Sequence, residues 1–418
     1  MVAGTMQKHP LTNDPLGPST SVLDLIATLH DLIRIPSVNP MGGTPIGSDR
    51  CESRLTDHLE NTFKALGLPT ERQSIAENRQ NILARLDSPT SPESKPLVLL
   101  EVHQDTVPTD GMTIAPFDPV FIDGRIYGRG ACDIKGGMAV MLHVLSRLVD
   151  ERPAEMPNVV MACTVNEEYG FCGARRLADS MHDGSSRLLP KPPDAIIIAE
   201  PTDLNVVVAH KGVVRWRCRT LGRAAHSSAP QHGKNAIYAM APVVTALEQY
   251  ATETLPQTPG HPLLGGPTLN VGVIHGGVSV NTVPDRCEIE IDRRLLPDED
   301  PVEARNHALQ YLADANLAND AIEHDCSFMA APGMSDVGNT QLADSLIAAA
   351  ATCGVTSNRM GAAYATDAVH LSRAVPATVV FGPGSIEQAH TKDEWIAVEQ
   401  LEKAAEILFR FCSAHKKP

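Results

Sequence analysis

Aromatic residues are scarce in this sequence, with 8 Phe, 6 Tyr and 2 Trp among 418 residues, so aliphatic side chains must form most of the core. No run of 18 apolar residues occurs, so no transmembrane helix is predicted. The nine cysteines include no Cys-x-x-Cys pair, which is typical of a reduced, cytoplasmic protein. Basic residues are outnumbered 35 to 50, and the net charge of −15 argues against binding to nucleic acid or to an anionic membrane.

Polar side chains follow three apolar runs that have the length of buried strands. In chain order, these strand ends carry His103, then Glu167 and Glu168, then Glu200. Helical patterns separate the runs, which predicts an α/β fold with a mainly parallel central sheet. The carboxyl ends of such strands meet at one edge, where ligands bind. Each strand end taken alone could equally be a solvated turn, but three together favour a site.

Two further candidates lie in loops. Asp133 stands within the glycine-rich stretch Gly128–Gly137, just before an amphipathic helical pattern. The spacing of its glycines matches neither the dinucleotide fingerprint nor the phosphate-binding loop, so we interpret it as a tightly folded backbone that directs Asp133. His390 follows Gly382-Pro383-Gly384 in the last part of the chain.

Together these residues form a nitrogen and oxygen ligand set for a metal: His103, Asp133, Glu168, Glu200 and His390. Imidazole and carboxylate ligands suit Zn²⁺, with Co²⁺ or Mn²⁺ as substitutes. A single catalytic zinc keeps only three protein ligands, so five ligands suit two metals that share a bridging carboxylate. Asp133 is the natural bridge.

Two more residues are predicted to assist. Neighbours in an extended chain point in opposite directions, so Glu167 is predicted to face the substrate while Glu168 ligates. A free carboxylate there can act as general acid and base. Asp105, two residues beyond His103, is predicted to orient that imidazole through its carboxylate.

The pattern of apolar and polar residues changes at Gly212. Arg215, Arg217 and Arg219 alternate with apolar residues, and we interpret them as a solvated strand face rather than a nucleic-acid stripe. The elements that follow have the order β-α-β-β-α-β, typical of a ferredoxin-like unit, and end in a strand over Ala321–Phe328. We therefore predict a catalytic domain in two parts, residues 19–211 and 330–418, with an inserted domain at 212–329.

Five motifs occur in the order found in the zinc-dependent aminoacylase/carboxypeptidase G family, which the chain resembles. They are His103–Pro108, Gly130–Gly137, Asn166-Glu167-Glu168, Ala199–Thr202, and Gly382-Pro383-Gly384 with Gln388-Ala389-His390. The resemblance implies a di-zinc exopeptidase-like fold whose inserted domain serves as lid and dimer contact. It also implies specific roles: His103 and Glu200 on one zinc, Glu168 and His390 on the other, Asp133 bridging, Glu167 as acid/base and Asp105 orienting His103.

Three more residues gain a role from the resemblance. The stretch Gly222–Ser228 is similar to the family's lid motif, which implies that His226 reaches a neighbouring active site in a homodimer and stabilises the oxyanion. Asn281 and Arg294 match family positions that contact the substrate's carbonyl or carboxylate. Without the resemblance, His226 would be an ordinary loop residue and Arg294 a surface charge.

The expected activity is hydrolysis of the amide bond of an N-acyl amino acid. The stretch Gly382–Ile396 is most similar to the acetylornithine deacetylase branch of the family. The alternatives are a succinyl-diaminopimelate desuccinylase, a dipeptidase or carboxypeptidase on the same scaffold, and a catalytically silent binding protein. One departure concerns Glu101, which stands where the family has a small residue and would add negative charge near one zinc.

Overall fold

The computed structural model describes residues 22–43, 51–317 and 321–414. Within them the helices are α1 (Leu25–Arg34), α2 (Ser53–Ala65), α3 (Gly136–Glu151), α4 (Glu167–Gly170), α5 (Cys172–Asp183), α6 (Ala236–Gln249), α7 (Pro301–Asp314), α8 (Thr340–Thr352), α9 (Ala368–Ala374) and α10 (Val398–Ala414). The strands are β1 (Thr70–Ala76), β2 (Arg79–Leu86), β3 (Leu97–His103), β4 (Val120–Ile122), β5 (Arg125–Tyr127), β6 (Asn158–Thr164), β7 (Ala195–Ile198), β8 (Val206–His210), β9 (Gly212–Leu221), β10 (Thr268–Gly276), β11 (Arg286–Leu295), β12 (Ile322–His324), β13 (Met329–Ala331), β14 (Arg359–Ala362), β15 (Thr378–Val380) and β16 (Trp395–Ala397).

A mixed, mostly parallel sheet of eight strands forms the centre of the molecule, in the order β1-β2-β6-β3-β7-β15-β8-β14. Its middle strands β6, β3, β7 and β15 run parallel. All seven residues of β3 are buried, as are all seven of β6. Such unbroken burial requires cover on both faces of the sheet, which explains why these strands read as continuous apolar runs.

Helices supply that cover. Alternate residues of β3 point to opposite faces: Leu100 packs in a cluster with helices α1, α2, α3, α8 and α10, and Leu99 in a cluster with α5 and α9. Each fully buried leucine of this kind contributes about 1.5–3 kcal/mol through removal of apolar surface from water. The central sheet is therefore a rigid support for the loops at its edge.

After β8 the chain leaves the central sheet and builds a second, antiparallel sheet in the order β10-β11-β9-β12, with β13 also paired to β9. Helices α6 and α7 pack on one face around the buried Trp216 and Tyr250. The chain then returns to the central sheet for β14 and β15.

The alternating arginines of β9 lie on the other face of this second sheet, where acidic residues of β11 face them. Arg215 binds Asp292 at 2.6 Å and Arg217 binds Glu290 at 2.9 Å. Arg219 pairs with Glu288 in the same manner. The predicted half-exposed face is thus an ion-pair ladder across two strands.

Three details differ from the sequence-based expectations. The strand predicted over Ala321–Phe328 is too long, because β12 covers only Ile322–His324 and the next strand, β13, begins at Met329. Strand β1 was not predicted, since its polar sequence at the sheet edge shows no apolar alternation. The small antiparallel sheet β16-β5-β4 was also missed, because its strands have only three residues each.

The predicted catalytic domain begins at residue 19 and ends at 418, and both positions lie outside the described residues. Among the described helices, none has the length and apolar character needed to cross a membrane.

Candidate metal centre and active site

The side chains predicted to bind metal converge at the carboxyl edge of the central sheet. His103 is the last residue of β3, Glu168 lies in the turn after β6, and Glu200 follows β7. Because β6, β3 and β7 are adjacent and parallel, these three ends meet. Asp133 arrives from the glycine-rich loop before α3, and His390 from the loop before β16.

The five side chains form two groups that share Asp133. In the first, His103 Nε2 lies 3.1 Å from Asp133 Oδ1 and 3.9 Å from Glu200 Oε1. In the second, His390 Nε2 lies 3.3 Å from Asp133 Oδ2 and 3.1 Å from Glu168 Oε2. Within each group the potential ligand atoms lie within 4.8 Å of one another. Asp133 thus presents one oxygen to each group, as a bridging carboxylate would.

Burial makes this cluster electrostatically costly. Burial and the charge of Asp133 raise the pKa of Glu168 to about 7, and they also raise that of Glu200. Burial alone would lower the pKa of His390, but hydrogen bonds to Asp133 and Glu168 outweigh it and raise that pKa. Carboxylates buried this close together favour positive charge beside them, which bound metal ions can supply.

Glu167 lies beside both groups and belongs to neither. Burial, and then the charges of Glu200 and Glu168, raise its pKa well above the usual range. Glu167 and Glu168 do not occupy extended chain, as the sequence argument assumed. They begin the short helix α4, after Asn166 with a φ of 65°.

The role predicted for Asp105 needs correction in its geometry. The imidazole of His103 contacts the backbone carbonyl of Asp105, with Nδ1 at 2.9 Å, while the carboxylate Oδ1 is 3.8 Å away. That carboxylate instead accepts the backbone N–H groups of Glu167 and Glu168, each at 3.1 Å. Asn39 donates to it as well, at 2.7 Å. Asp105 therefore links the His103 strand end to the turn that carries both glutamates.

A buried residue absent from the sequence analysis, Glu394, fixes the loop of Asp133. One carboxylate oxygen accepts from Arg129 Nη1 at 2.7 Å and Gly130 N at 2.9 Å. The other accepts from Cys132 N at 2.8 Å and Asp133 N at 2.9 Å. Glu394 is also four residues from His390, so one carboxylate positions the Asp133 loop against the His390 segment. No sequence signal marked it, because Thr391–Glu394 has the composition of an exposed turn.

Glu101, the departure from the family pattern, lies fully buried on β3. Thr164 Oγ1 stands 2.5 Å from Glu101 Oε1 and 2.7 Å from Asp367 Oδ2. A hydroxyl has one proton to donate, so one of the two carboxyls must donate in turn. Burial raises the pKa of both Glu101 and Asp367, so the two carboxyls share a proton. The pair consequently carries less than two full negative charges near His103.

A cavity of about 140 Å³ opens above the cluster. Strands of the second sheet form one wall, with Val213, Arg215, Arg294 and Met329. The predicted substrate contact Arg294 thus reaches the site. His226 and Asn281 do not line this cavity, and both are exposed on the second sheet's connecting loops. Arg215 was missed as a site residue because alternation alone does not reveal what lies opposite a strand.

Comparison with known proteins agrees with this geometry. Residues 99–414 match the model of peptidase family M20/M25/M40. The chain belongs to this family.

An acetylornithine deacetylase of Edwardsiella ictaluri is 32% identical over 407 residues, which cover 94% of this chain and 99% of that protein. An M20 family metallo-carboxypeptidase from Sulfolobus solfataricus superposes with a TM-score of 0.76 at 20% identity, covering 94% of this chain and 99% of the other. A dinuclear metal-binding M20 peptidase from Bacillus subtilis gives 0.63 at 18% identity, with coverages of 93% and 96%. These structures share the fold. As a member of the M20 family, the chain is a metal-dependent hydrolase.

The residues present fit the dinuclear metal binding of M20 peptidases. Both donor groups combine imidazole with carboxylate, the set that divalent transition metals prefer. Glu168 Oε1 is buried without a hydrogen-bond partner among the described residues, as expected of an oxygen reserved for a cation. The family resemblance inferred from the five motifs is confirmed by the family match.

The position of Glu394 leads to a first prediction. In the variant Glu394→Gln an amide NH₂ replaces one oxygen, so two of the four donors lose their acceptor and face another donor. We expect metal affinity to fall by about 10–100-fold, the usual effect of removing a partner behind a ligand. Competition titration with a chelating dye measures this loss.

The matched control is Glu399→Gln, a surface glutamate five residues further on whose side chain is 76% exposed. This variant should bind metal like the unmodified protein. Unchanged metal affinity in Glu394→Gln, with folding verified by circular dichroism, would show that Glu394 does not support the metal site.

Proposed function

We propose that this protein hydrolyses the amide bond of an N-acyl amino acid and releases a small acyl group. The observation that carries the proposal is the pair of metal-ligand groups joined through Asp133, with the free carboxylate of Glu167 beside them on the cavity. The relative named acetylornithine deacetylase supports N-acetyl-L-ornithine as the first substrate to assay. The alternatives on the same scaffold are N-succinyl-diaminopimelate and dipeptides.

We propose zinc as the metal, with His103 and Glu200 on one ion, Glu168 and His390 on the other, and Asp133 on both. When bound, the two ions would supply the Lewis acidity that activates water and polarises the amide carbonyl. The imidazole ligands favour zinc over magnesium or calcium, while Co²⁺ and Mn²⁺ remain workable substitutes.

Glu167 carries the proton in this mechanism. Its carboxylate takes a proton from the attacking water and then gives it to the leaving nitrogen, so the products are a carboxylic acid and a free amine. Its position suits this task, because Glu167 lies on the cavity and belongs to neither ligand group, so its carboxylate is free to hold the proton between the two steps. We propose that Arg294, which lines the same cavity, binds the substrate's carboxylate.

The proposal is tested by elemental analysis combined with a substrate panel. The purified protein should contain two metals per chain and hydrolyse at least one of N-acetyl-L-ornithine, N-succinyl-diaminopimelate, simple N-acetyl amino acids or dipeptides. A well-folded, metal-loaded protein that cleaves none of them would support a silent binding protein instead.

The variant Glu167→Gln is our second prediction. Turnover should fall by about 10²–10⁴-fold, because the amide cannot accept the proton from water. Metal content should stay unchanged, since Glu167 is in neither ligand group. Steady-state kinetics and elemental analysis measure both, and Glu168→Gln is the contrasting variant that should lose metal. Near-normal turnover in Glu167→Gln would refute its assignment as the base.

We also propose a homodimer in which the ferredoxin-like second sheet acts as lid and contact surface. Strand β10 is an edge strand, and apolar side chains on it and in the loop that follows it are exposed: Ile274 at 57%, Val278 at 92% and Val280 at 100%. Exposed apolar groups beside an unpaired edge favour pairing with another chain. In such a dimer, His226 and Asn281 would complete the neighbouring site. A reducing, cytoplasmic location is part of the proposal and is supported by the scattered cysteines of the sequence, which include no Cys-x-x-Cys pair.

A mixing experiment provides the third prediction. His226→Ala and Glu167→Gln should each be nearly inactive as homodimers. When the two are unfolded, mixed and refolded together, half of the dimers are hybrids with one complete site, so about a quarter of normal activity should return. If His226 serves its own chain, the mixture will show only the sum of the separate activities, and the dimer role proposed for it is wrong.

A further inference from the structure

Two arginines of the cavity wall share a single carboxylate. Arg215 Nε lies 2.6 Å from Asp292 Oδ2, and Arg294 Nε lies 2.7 Å from Asp292 Oδ1. Arg294 Nη2 makes a longer contact to Asp292 Oδ2, at 3.3 Å. Both guanidinium groups line the cavity. Asp292 therefore orients two cations toward the same space and offers both of its oxygens to them.

Each guanidinium keeps donors for a ligand. Among the described residues, Nη1 and Nη2 of Arg215 have no hydrogen-bond partner, and neither has Nη1 of Arg294. A guanidinium fork matches a carboxylate in two parallel hydrogen bonds. When the carboxylate of the amino acid binds one of the two guanidinium groups, the other guanidinium group remains available for a second anion.

Nothing on the rest of the lining suits a cationic side chain. The carboxylates of the floor are either metal ligands or the proton carrier Glu167, and the remaining lining is apolar apart from the hydroxyl of Tyr364: Phe171, Val213, Met329, Ala365 and Ile386. A substrate ammonium group would face Arg215 with no free carboxylate to pair with. Like charges close together in a partly desolvated cavity repel.

We propose that the substrate carries a second carboxylate and that Arg215 binds it. The proposal rests on the amide hydrolysis proposed above, narrows it to N-acyl amino acids with two anionic groups, and so expects N-acetyl-L-ornithine, the first substrate to assay, to be a poor one. The second carboxylate can belong to the amino-acid side chain or to the acyl group, since either end of the substrate can extend along the wall.

The ion-pair ladder of β9 supplies a matched control. Arg217 stands two residues along the same strand face, binds Glu290 at 2.9 Å and has a side chain exposed to a similar degree, 33% against 29% for Arg215. It does not line the cavity. A purely structural role of the ladder would make Arg215→Met and Arg217→Met equivalent.

The experiment compares kcat/KM of the zinc-loaded protein on four compounds. N-acetyl-L-glutamate carries the second carboxylate on its side chain, and N-succinyl-L-leucine carries it on the acyl group. N-acetyl-L-leucine is the reference with an uncharged side chain, and N-acetyl-L-ornithine is the reference with a cationic side chain. We expect at least one dicarboxylate to exceed the neutral reference by about 10-fold or more, as one charge-assisted contact allows. A preference for N-acetyl-L-ornithine would overturn the proposal.

The variants then assign the effect to Arg215. In Arg215→Met the ratio of kcat/KM for the better dicarboxylate to that for N-acetyl-L-leucine should fall about 10-fold or more, while Arg217→Met should retain the original ratio. Equal ratios in both variants and in the unmodified protein would overturn the assignment.

If none of the four compounds is hydrolysed, calorimetric binding still tests the inference. In that case N-acetyl-L-glutamate or N-succinyl-L-leucine should bind more tightly than N-acetyl-L-ornithine, and Arg215→Met should remove the difference. That outcome would refute the hydrolysis of these amides while supporting the anion site. Equal or weaker binding of both dicarboxylates would refute the anion site itself.

Discussion

The repulsion between four buried carboxylates is the constraint around which the active site is built. Asp133, Glu167, Glu168 and Glu200 lie at one edge of the sheet, where burial strengthens every charge. Within the part of the chain that the structure describes, no backbone N–H group donates to these four carboxylates. Backbone donors instead bind Asp105 and Glu394, which support the residues of the site from behind and accept backbone N–H groups at both carboxylate oxygens. Asp105 and Glu394 thus find their hydrogen-bond partners within the protein, whereas the charges of the candidate metal ligands are left for metal ions to neutralise.

This division between metal ligands and supporting carboxylates explains which parts of the site could be predicted from the sequence. The strand ends were visible because buried parallel strands are continuous apolar runs, and a charged residue at the end of each run stands out. The glycines around Asp133 marked a special backbone. Strand ends and glycine-containing motifs therefore gave the five candidate ligands, and the five motifs together carried the likeness to the family. The main architecture followed from the same patterns, although the short strands β4, β5 and β16 carry too few residues to show a period.

Contacts between distant segments were beyond the sequence. Glu394 lies more than 250 residues from the loop that it holds, and the three residues before it, Thr391–Asp393, are polar. The geometry of Asp105 was mistaken because side-chain directions in extended chain do not apply once β3 has ended. Glu101 was assigned a charge from its residue type, whereas its protonation depends on Asp367, which a third segment brings to Thr164. In each case the missing information was the identity of a partner.

The chain crosses from the central sheet to the second sheet between β8 and β9. This crossing explains why one wall of the cavity is complete in a single chain. Only Lys211 separates β8 from β9, and the outgoing chain at His210 pairs with the returning chain at Met334 through hydrogen bonds of 3.1 and 3.0 Å. Gly212 is required there, because a Cβ would lie 2.5 Å from the backbone of Pro332 and Gly333.

Val213 and Arg215 follow this crossing at once. Arg215 and its strand partner Asp292 therefore lie near the connection to the central sheet, whereas His226 lies beyond the far end of β9. The cavity wall with the two arginines is thus joined directly to the sheet that carries the metal ligands, and the residue proposed to act on a neighbouring site lies past the opposite end of the strand.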